Sequence, residues 1–260
     1  MTDAAAPTLT PRRRTGRWII ASIVVIVLLA GAVVAAEFIA RSVVTNTVRA
    51  LVVDKVGLPD DQGVDVQVAG IVLPQLIAGR LDDVTIASDD LSLGPLTGDV
   101  LVEMRGVPVS GGAASEGGTA SIRLDEQQLR ALLATLPDFP SGTVALAAPD
   151  VTFTSQLSVL GIAIPVAVAV APGVSDGDLT LTPSTFELGG NTIDAGTLRT
   201  QFGGVADTVL DTRTLCIADR LPAALTLTSA TVQGQDLVAA FDVAGGVLND
   251  PALQRDGSCG

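Results

Sequence analysis

The stretch from Ile162 to Val170 reads IAIPVAVAV, with Ile162, Ile164, Val166, Val168 and Val170 on one side of an extended chain and Ala163, Pro165, Ala167 and Ala169 on the other. A period of two identifies a strand, and the β-branched side suits a pleated surface. Both sides are apolar. Such a strand is either covered by protein on each face, or one face lines an aliphatic cavity. Pro165 has no N–H to give to a ladder, which predicts an edge position or a bulge at that point.

The same period recurs outward from this segment. Val64, Val66 and Val68 alternate with Asp65 and Gln67, and Val100, Val102 and Met104 alternate with Leu101 and Glu103. Further strands read at Ala120/Ile122/Leu124, Val151/Phe153, Leu179/Leu181, Leu225/Leu227 and Leu237 to Val243. Turn signals separate them at Gly94-Pro95, Pro172-Gly173, Asp176-Gly177-Asp178, Gly189-Gly190-Asn191 and Gly245-Gly246. One interior helix is marked by the Leu129, Leu132, Leu133, Leu136 stripe, with Asp125 and Gln128 placed to cap it and Pro137 to end it. A second helix is expected over about Leu198 to Leu210, and Ser110 to Gly118, SGGAASEGG, reads as a flexible loop. Helices laid on an antiparallel sheet make the fold class α+β.

The N-terminal part is of another kind. Arg12, Arg13, Arg14 and Arg17 precede Trp18 to Ala36, a run without a charge. As a helix it covers roughly 28 Å, close to the roughly 30 Å of a hydrocarbon core. The arginines hold residues 1–17 in the cytoplasm, Trp18 suits an interface, and residues 37–260 then form an extracytoplasmic domain. Cleavage after Val34-Ala35-Ala36, giving a secreted or cell-wall protein, is the alternative, although the run is longer than the 7–15 residues or so of a signal h-region. No lipobox cysteine follows the run. From Glu37 to Val56 a helix is expected through Ile39, Val43, Val44, Val48, Leu51, Val52 and Val56, ended by Gly57 and Pro59 and continuing the membrane helix outward. Arg41, Arg49 and Lys55 on it read as a solvated polar face or as headgroup contacts.

Composition excludes much chemistry. The chain has no histidine and no tyrosine, and its aromatics are six Phe and Trp18. A Ser-His-Asp or Cys-His arrangement is therefore absent, and a zinc site would have to use carboxylates and two distant cysteines, so no metal or cofactor is expected. Four arginines and Asp3 give residues 1–36 a charge of +3, so of the net −13 the remainder carries −16. That sign repels nucleic acid and argues against docking through a broad basic patch. The acidic pairs Asp60/Asp61, Asp82/Asp83 and Asp89/Asp90 read as solvated turn residues; a carboxylate-dependent hydrolase would need one of them in a cleft. Cys216 and Cys259, an even count on an exported chain, favour a disulfide.

Val64 to Ile86, VDVQVAGIVLPQLIAGRLDDVTI, carries a strand ending at Gly70, the Leu73-Pro74-Gln75-Leu76-Ile77 segment, Gly79-Arg80-Leu81 and a second strand led by Val84. In these features, in Gly94 to Val107, in the Ile122 to Leu133 strand-to-helix step and in Cys216 to Val232, the chain resembles the LmeA-like phospholipid-binding family of high-GC Gram-positive envelopes. Where that family usually has an aromatic near Gly70, this chain has Ile71 and Val72. The resemblance implies a non-enzymatic phospholipid-binding domain that supports envelope glycolipid or lipoglycan maturation or lipid transfer. It also implies a tubular lipid-binding fold, in which a curved, long antiparallel sheet wraps a long helix and encloses an acyl-chain groove. On this reading Leu73, Pro74, Leu76, Ile77 and Arg80 form the mouth, with Arg80 holding a phosphate or else paired with Asp82 or Asp83. Ile162, Ile164, Val166 and Val168 line the groove. The rival is a membrane-anchored scaffold for an envelope glycosyltransferase, with no lipid cavity.

Overall fold

The computed structural model describes residues 15–56, 58–59, 62–93, 96–110, 112–134, 143–159, 162–204 and 210–259. Helix α1, Thr15–Val56, is one uninterrupted helix of 42 residues. Its side chains from Trp18 to Val34 are all exposed, whereas Ala40, Val44, Val48, Val52 and Val53 pack onto the rest of the chain. The contact stripe advances by four residues, so Ile39, Val43 and Leu51, expected to face inward, point to solvent. Arg41 is tied to the backbone rather than simply solvated, Arg49 stays exposed as on a solvated polar face, and the Lys55 side chain is not among those described. Arg41 donates to the carbonyls of Val68 and Gly70 at 2.6 and 2.5 Å, and Arg49 to that of Gln62 at 3.4 Å. Gly57, Asp60, Asp61, the Gly94-Pro95 turn, Leu136 and Pro137, and nearly all of the 1–17 tail, lie outside the described residues.

Two antiparallel sheets follow. The first contains β1 (Asp65–Val68), β2 (Arg80–Leu93), β3 (Leu96–Pro108), β4 (Gly117–Leu124), β11 (Leu225–Gln233) and β12 (Asp236–Val243), in the order β1-β2-β3-β4-β12-β11. The second contains β5 (Thr143–Ala147), β6 (Asp150–Val159), β7 (Ile162–Ser175), β8 (Asp178–Leu188) and β10 (Arg213–Leu215), in the order β10-β8-β7-β6-β5, with β9 (Asn191–Asp194) also on β8. Between strands lie α2 (Val72–Ala78), α3 (Glu126–Leu133) and α4 (Ala195–Phe202). The class is α+β, as expected.

The register of the first sheet sorts its side chains. Val66, Ile86, Val102, Ala120, Phe241 and Leu227 are successive cross-strand partners, so one apolar row crosses all six strands. One residue along, Gln67, Thr85, Glu103, Thr119, Asp242 and Thr226 form a row that is polar throughout. Partners in a ladder share a face and neighbours along a strand alternate, so the inner face is apolar and the outer face carries the polar row, mixed with Ala87, Leu101 and Ala240. Two cores cover the inner face. At the β1–β2 side, α1 and α2 close over Val66, Val68, Val84 and Leu91. At the other side, α3 and the second sheet bring Leu129, Val144, Val151 and Val170 onto Leu124 and Val232.

The capping of α3 is as the sequence indicates: Gln128 N–H donates to Asp125 Oδ1 at 2.7 Å, and Asp125 N–H to Gln128 Oε1 at 2.9 Å. The second interior helix, α4, begins at Ala195 rather than Leu198, because Asp194 caps it through Thr197 N–H and Oγ1. Those two bonds hold the Asp194 carboxyl below its ordinary range.

Two expectations from glycine and proline need correction, and a third holds only locally. Pro172-Gly173 is no turn: both lie inside β7, opposite Leu181 and Thr180. β7 as a whole is flanked by β6 and β8, but at Pro165 only β6 pairs with it, so the expected edge position holds locally. Each proline sits where one neighbour is missing. The β7–β8 ladder starts at Val166 and the β6–β7 ladder stops at Val170, so neither ring removes a needed donor. The Ser110–Gly118 segment is not simply a flexible loop. Ser115 is buried, its N–H and Oγ both donate to the Gly245 carbonyl at 2.9 and 2.8 Å, and Gly117 and Gly118 open β4. A Cβ on Gly118 would run into the Glu103 carbonyl, so close strand approach, not mobility, demands glycine there.

Cys216 and Cys259 form the disulfide read from the sequence. Closing a loop with a sequence separation of 43 disfavours the unfolded chain by about 4 kcal/mol in the chain-entropy description. Replacing both cysteines by serine is expected to lower the free energy of unfolding in urea by about 2–4 kcal/mol. An unchanged midpoint and slope would show that the bridge contributes no stability.

Candidate functional site

The inner face of the first sheet is not evenly covered. Val66 and Leu227, at the two ends of the apolar row, are buried, but Ile86, Val102, Ala120 and Phe241 between them are only half-buried. A parallel row repeats the pattern, with Val100, Ile122 and Ala239 half-buried. Val102, Ala120, Ala239 and Phe241 belong to neither core. An apolar strip along β3, β4 and β12 therefore lies between α1 on one flank and the second sheet on the other. Ala120 and Ala239 leave it open where larger residues would fill it. Sequence reading placed these residues in strands without assigning them a role; the available signal was the small residues among β-branched ones on faces otherwise destined for a core.

The Leu73–Arg80 segment occupies one end of this sheet. Helix α2 turns in Val72, Gln75 and Leu76 and leaves Pro74 and Ile77 exposed, while Leu73 is half-buried. Gln75, buried at 6% exposure, is satisfied on both sides: its Nε2 donates to the Ala69 carbonyl at 2.7 Å and its Oε1 accepts from Asp82 N–H at 3.0 Å. Gly79 closes the helix with φ 79°, a left-handed cap that glycine adopts without cost. The start of α2 has no side-chain cap of its own. Glu37 of α1 supplies it from 35 residues away, its two carboxylate oxygens accepting from the N–H groups of Val72 at 2.7 Å and Leu73 at 2.9 Å. Arg41 adds the Gly70 carbonyl and an ion pair to Glu37 at 3.3 Å. Glu37 is the first charge after the apolar run, a signal that was legible, though its partner was not.

Arg80 pairs with Glu116 at 2.8 Å and with neither Asp82 nor Asp83. Both side chains are about half exposed, so the pair is worth roughly 0.2–1 kcal/mol and leaves the guanidinium accessible. Asp82 and Asp83 stand exposed within β2 rather than in a turn. Asp89 and Asp90 are exposed at a bulge in the same strand, where Asp90 has φ 49° and its Oδ1 accepts from Gln128 Nε2 at 2.8 Å. Neither described pair lies in a cleft. No group of three His, Cys, Asp or Glu able to hold a metal occurs among the described residues.

The other predicted lining residues are elsewhere. Ile164, Val166 and Val168 lie half-buried on β7 in the second sheet, and Val168 packs against the core that contains Leu129 and Val232. Ile162 starts the strand, and its side chain is not among those described. Leu73, Pro74, Leu76, Ile77 and Arg80 thus share the α2–β2 segment, with Leu76 turned into the first core, and of the predicted β7 residues Val168 packs on the second core. A cleft of about 500 Å³ also lies beside the disulfide, between Asp176–Asp178, Cys216 to Ala218 and Leu225 to Leu227.

A two-sheet α+β chain with an uneven, aliphatic inner face, and with that face flanked rather than filled, has the makings of a protein that holds an apolar ligand. A model of the LmeA-like phospholipid-binding family matches residues 35–242, and the chain belongs to that family. No curated protein and no solved structure matches it. The matched span contains Glu37, α2 and the whole central strip, and it stops short of Cys259.

Replacing Glu37 with Ala removes a cap that two backbone donors share, while α1 itself keeps its helical hydrogen bonds. Amide hydrogen exchange at Val72 and Leu73 is expected to accelerate at least several-fold relative to β3 amides. Equal protection in both proteins would show that the carboxylate does not hold α2.

Proposed function

We propose that this protein is a membrane-anchored phospholipid-binding protein in which acyl chains lie along the Val102, Ala120, Ala239 and Phe241 strip. Family membership supports the ligand class. The observation that carries the location is the half-buried centre of a row whose ends are buried. Each methylene moved from water onto this strip contributes about 0.8 kcal/mol, so part of one acyl chain suffices for stable retention. The strip between α1 and the second sheet is the counterpart of the groove in a tubular lipid-binding fold. Arg80 at the end of the sheet holds the phosphate, exchanging its exposed pairing with Glu116 for a charge-assisted contact beside Leu73 and Ile77.

Trp18 to Ala36 spans the bilayer, with residues 1–17 in the cytoplasm and 37–260 outside, where the disulfide is at home. In this setting the protein carries or presents phospholipid during maturation of envelope glycolipids. The absence of histidine from the whole sequence supports a non-enzymatic role.

Ala120→Trp fills the strip from its floor, whereas Ser121→Trp places the same bulk on the outer face of the same strand. Organic extraction of the purified full chains followed by mass spectrometry is expected to recover at least several-fold less phospholipid from the first than from the second. Equal recovery would relocate the lipid, and a wild-type chain free of lipid would favour the glycosyltransferase scaffold. With Arg80→Ala, the same extraction is expected to return less phospholipid while neutral lipids are retained; an unchanged profile excludes the guanidinium as headgroup ligand.

A further inference from the structure

The outward side of α2 carries no polar residue. Val72, Gln75 and Leu76 face the core, which leaves Ile71, Pro74, Ile77 and Ala78 on the opposite side, all exposed. Ile77 is 85% and Ile71 64% exposed. On a domain whose residues 37–260 carry −16, a solvated helix would present charge there. Phe38 and Ile39 on α1, at 71% and 65% exposure, are equally uncovered.

The position of this patch identifies what covers it. Glu37 immediately follows the apolar run that ends at Ala36, and its carboxylate holds the first turn of α2 at hydrogen-bond distance. Arg41, about one helical turn further on, binds the Gly70 carbonyl. With Ala36 at the edge of the hydrocarbon, α2 has no freedom to stand away from the bilayer. We infer that α2 is a membrane-seated foot, with Ile71, Pro74 and Ile77 immersed in the interfacial layer of the outer leaflet. Its apolar character fits the domain's negative charge, because attraction to anionic headgroups is not available to hold the domain down. The foot fixes the rotation of the domain about α1 and sets Arg80, two residues beyond Ala78, at headgroup level.

This inference rests on the reading of Trp18–Ala36 as a span, and one reporter separates the two. Trp18 is the single tryptophan of the chain, so the wild-type protein in vesicles of phosphatidylcholine and phosphatidylglycerol with brominated acyl chains reports the anchor. Ile77→Trp in a Trp18→Phe background reports the foot, and Thr231→Trp in the same background reports the exposed outer face of β11. Both replaced side chains are solvent-exposed, so folding is preserved. The expected result is fluorescence quenching of the Ile77→Trp protein by about twofold or more, as for a residue in the headgroup and acyl boundary, with the Thr231→Trp protein unaffected. Quenching of Trp18 in the wild type with none in the Ile77→Trp protein would overturn the foot while leaving the anchor intact. An unquenched Trp18 would remove the span and the inference with it.

Discussion

Antiparallel pairing sets Val66, Ile86, Val102, Ala120, Phe241 and Leu227 side by side across six strands, and a shift of one residue anywhere in that ladder would exchange them for Gln67, Thr85, Glu103, Thr119, Asp242 and Thr226. The inner face, both cores and the strip between them depend on this register. Glycines protect it where strands approach closely. A side chain at Gly98 would meet Leu124 Cδ2 at 2.6 Å, and one at Gly117 would meet the Val243 carbonyl at 2.8 Å. The bulges, between Ser88 and Leu91 and between Leu227 and Ser229, fall away from the β3–β4–β12 centre. They adjust the flanking strands without disturbing the faces of the middle ones.

On this sheet the chain places two separate covers rather than one. Helix α1 contributes Ala40, Val44 and Val48 at the β1–β2 side, and the second sheet contributes Val144, Val151 and Val170 at the other. A single cover would produce an ordinary filled core. Two covers leave the middle strands half-buried, so an apolar strip without a full cover runs between them.

The Glu37 cap ties α2, and with it the end of β2, to the N-terminal helix. A helix start without its own capping side chain is incomplete, because its first N–H groups have no partner within the helix. Here the missing acceptor comes from α1, so the orientation of α2 is inseparable from the path of the helix that leads out of the apolar run. Arg41 strengthens the same junction by binding carbonyls at the end of β1. The sequence-level reading of its charge as polar-face solvation missed this because the partner carbonyls are backbone atoms, invisible in a pattern of side chains.

Strand alternation, the α3 capping box, the apolar run after four arginines and the pairing of the only two cysteines were legible in the sequence, because each depends on spacing or on residue count alone. So was the exclusion of histidine-dependent catalysis. The Leu73–Arg80 segment and β7 were both recognisable as apolar, yet their separation into different cores was not, since strand order places β7 in a second sheet that no local pattern announces. Pro172-Gly173 reads locally as a turn, and only the ends of the β6 and β8 ladders explain why a strand runs through it. Arg80 chose Glu116 over its sequence neighbours because Glu116, bonded to the Arg105 carbonyl of β3, meets it over Gly106, where no side chain intervenes. What the tertiary structure alone decided is which apolar residues are fully covered and which are half open. Two sides of a strand with the same chemistry differ only in what packs on them, and that is set by long-range pairing.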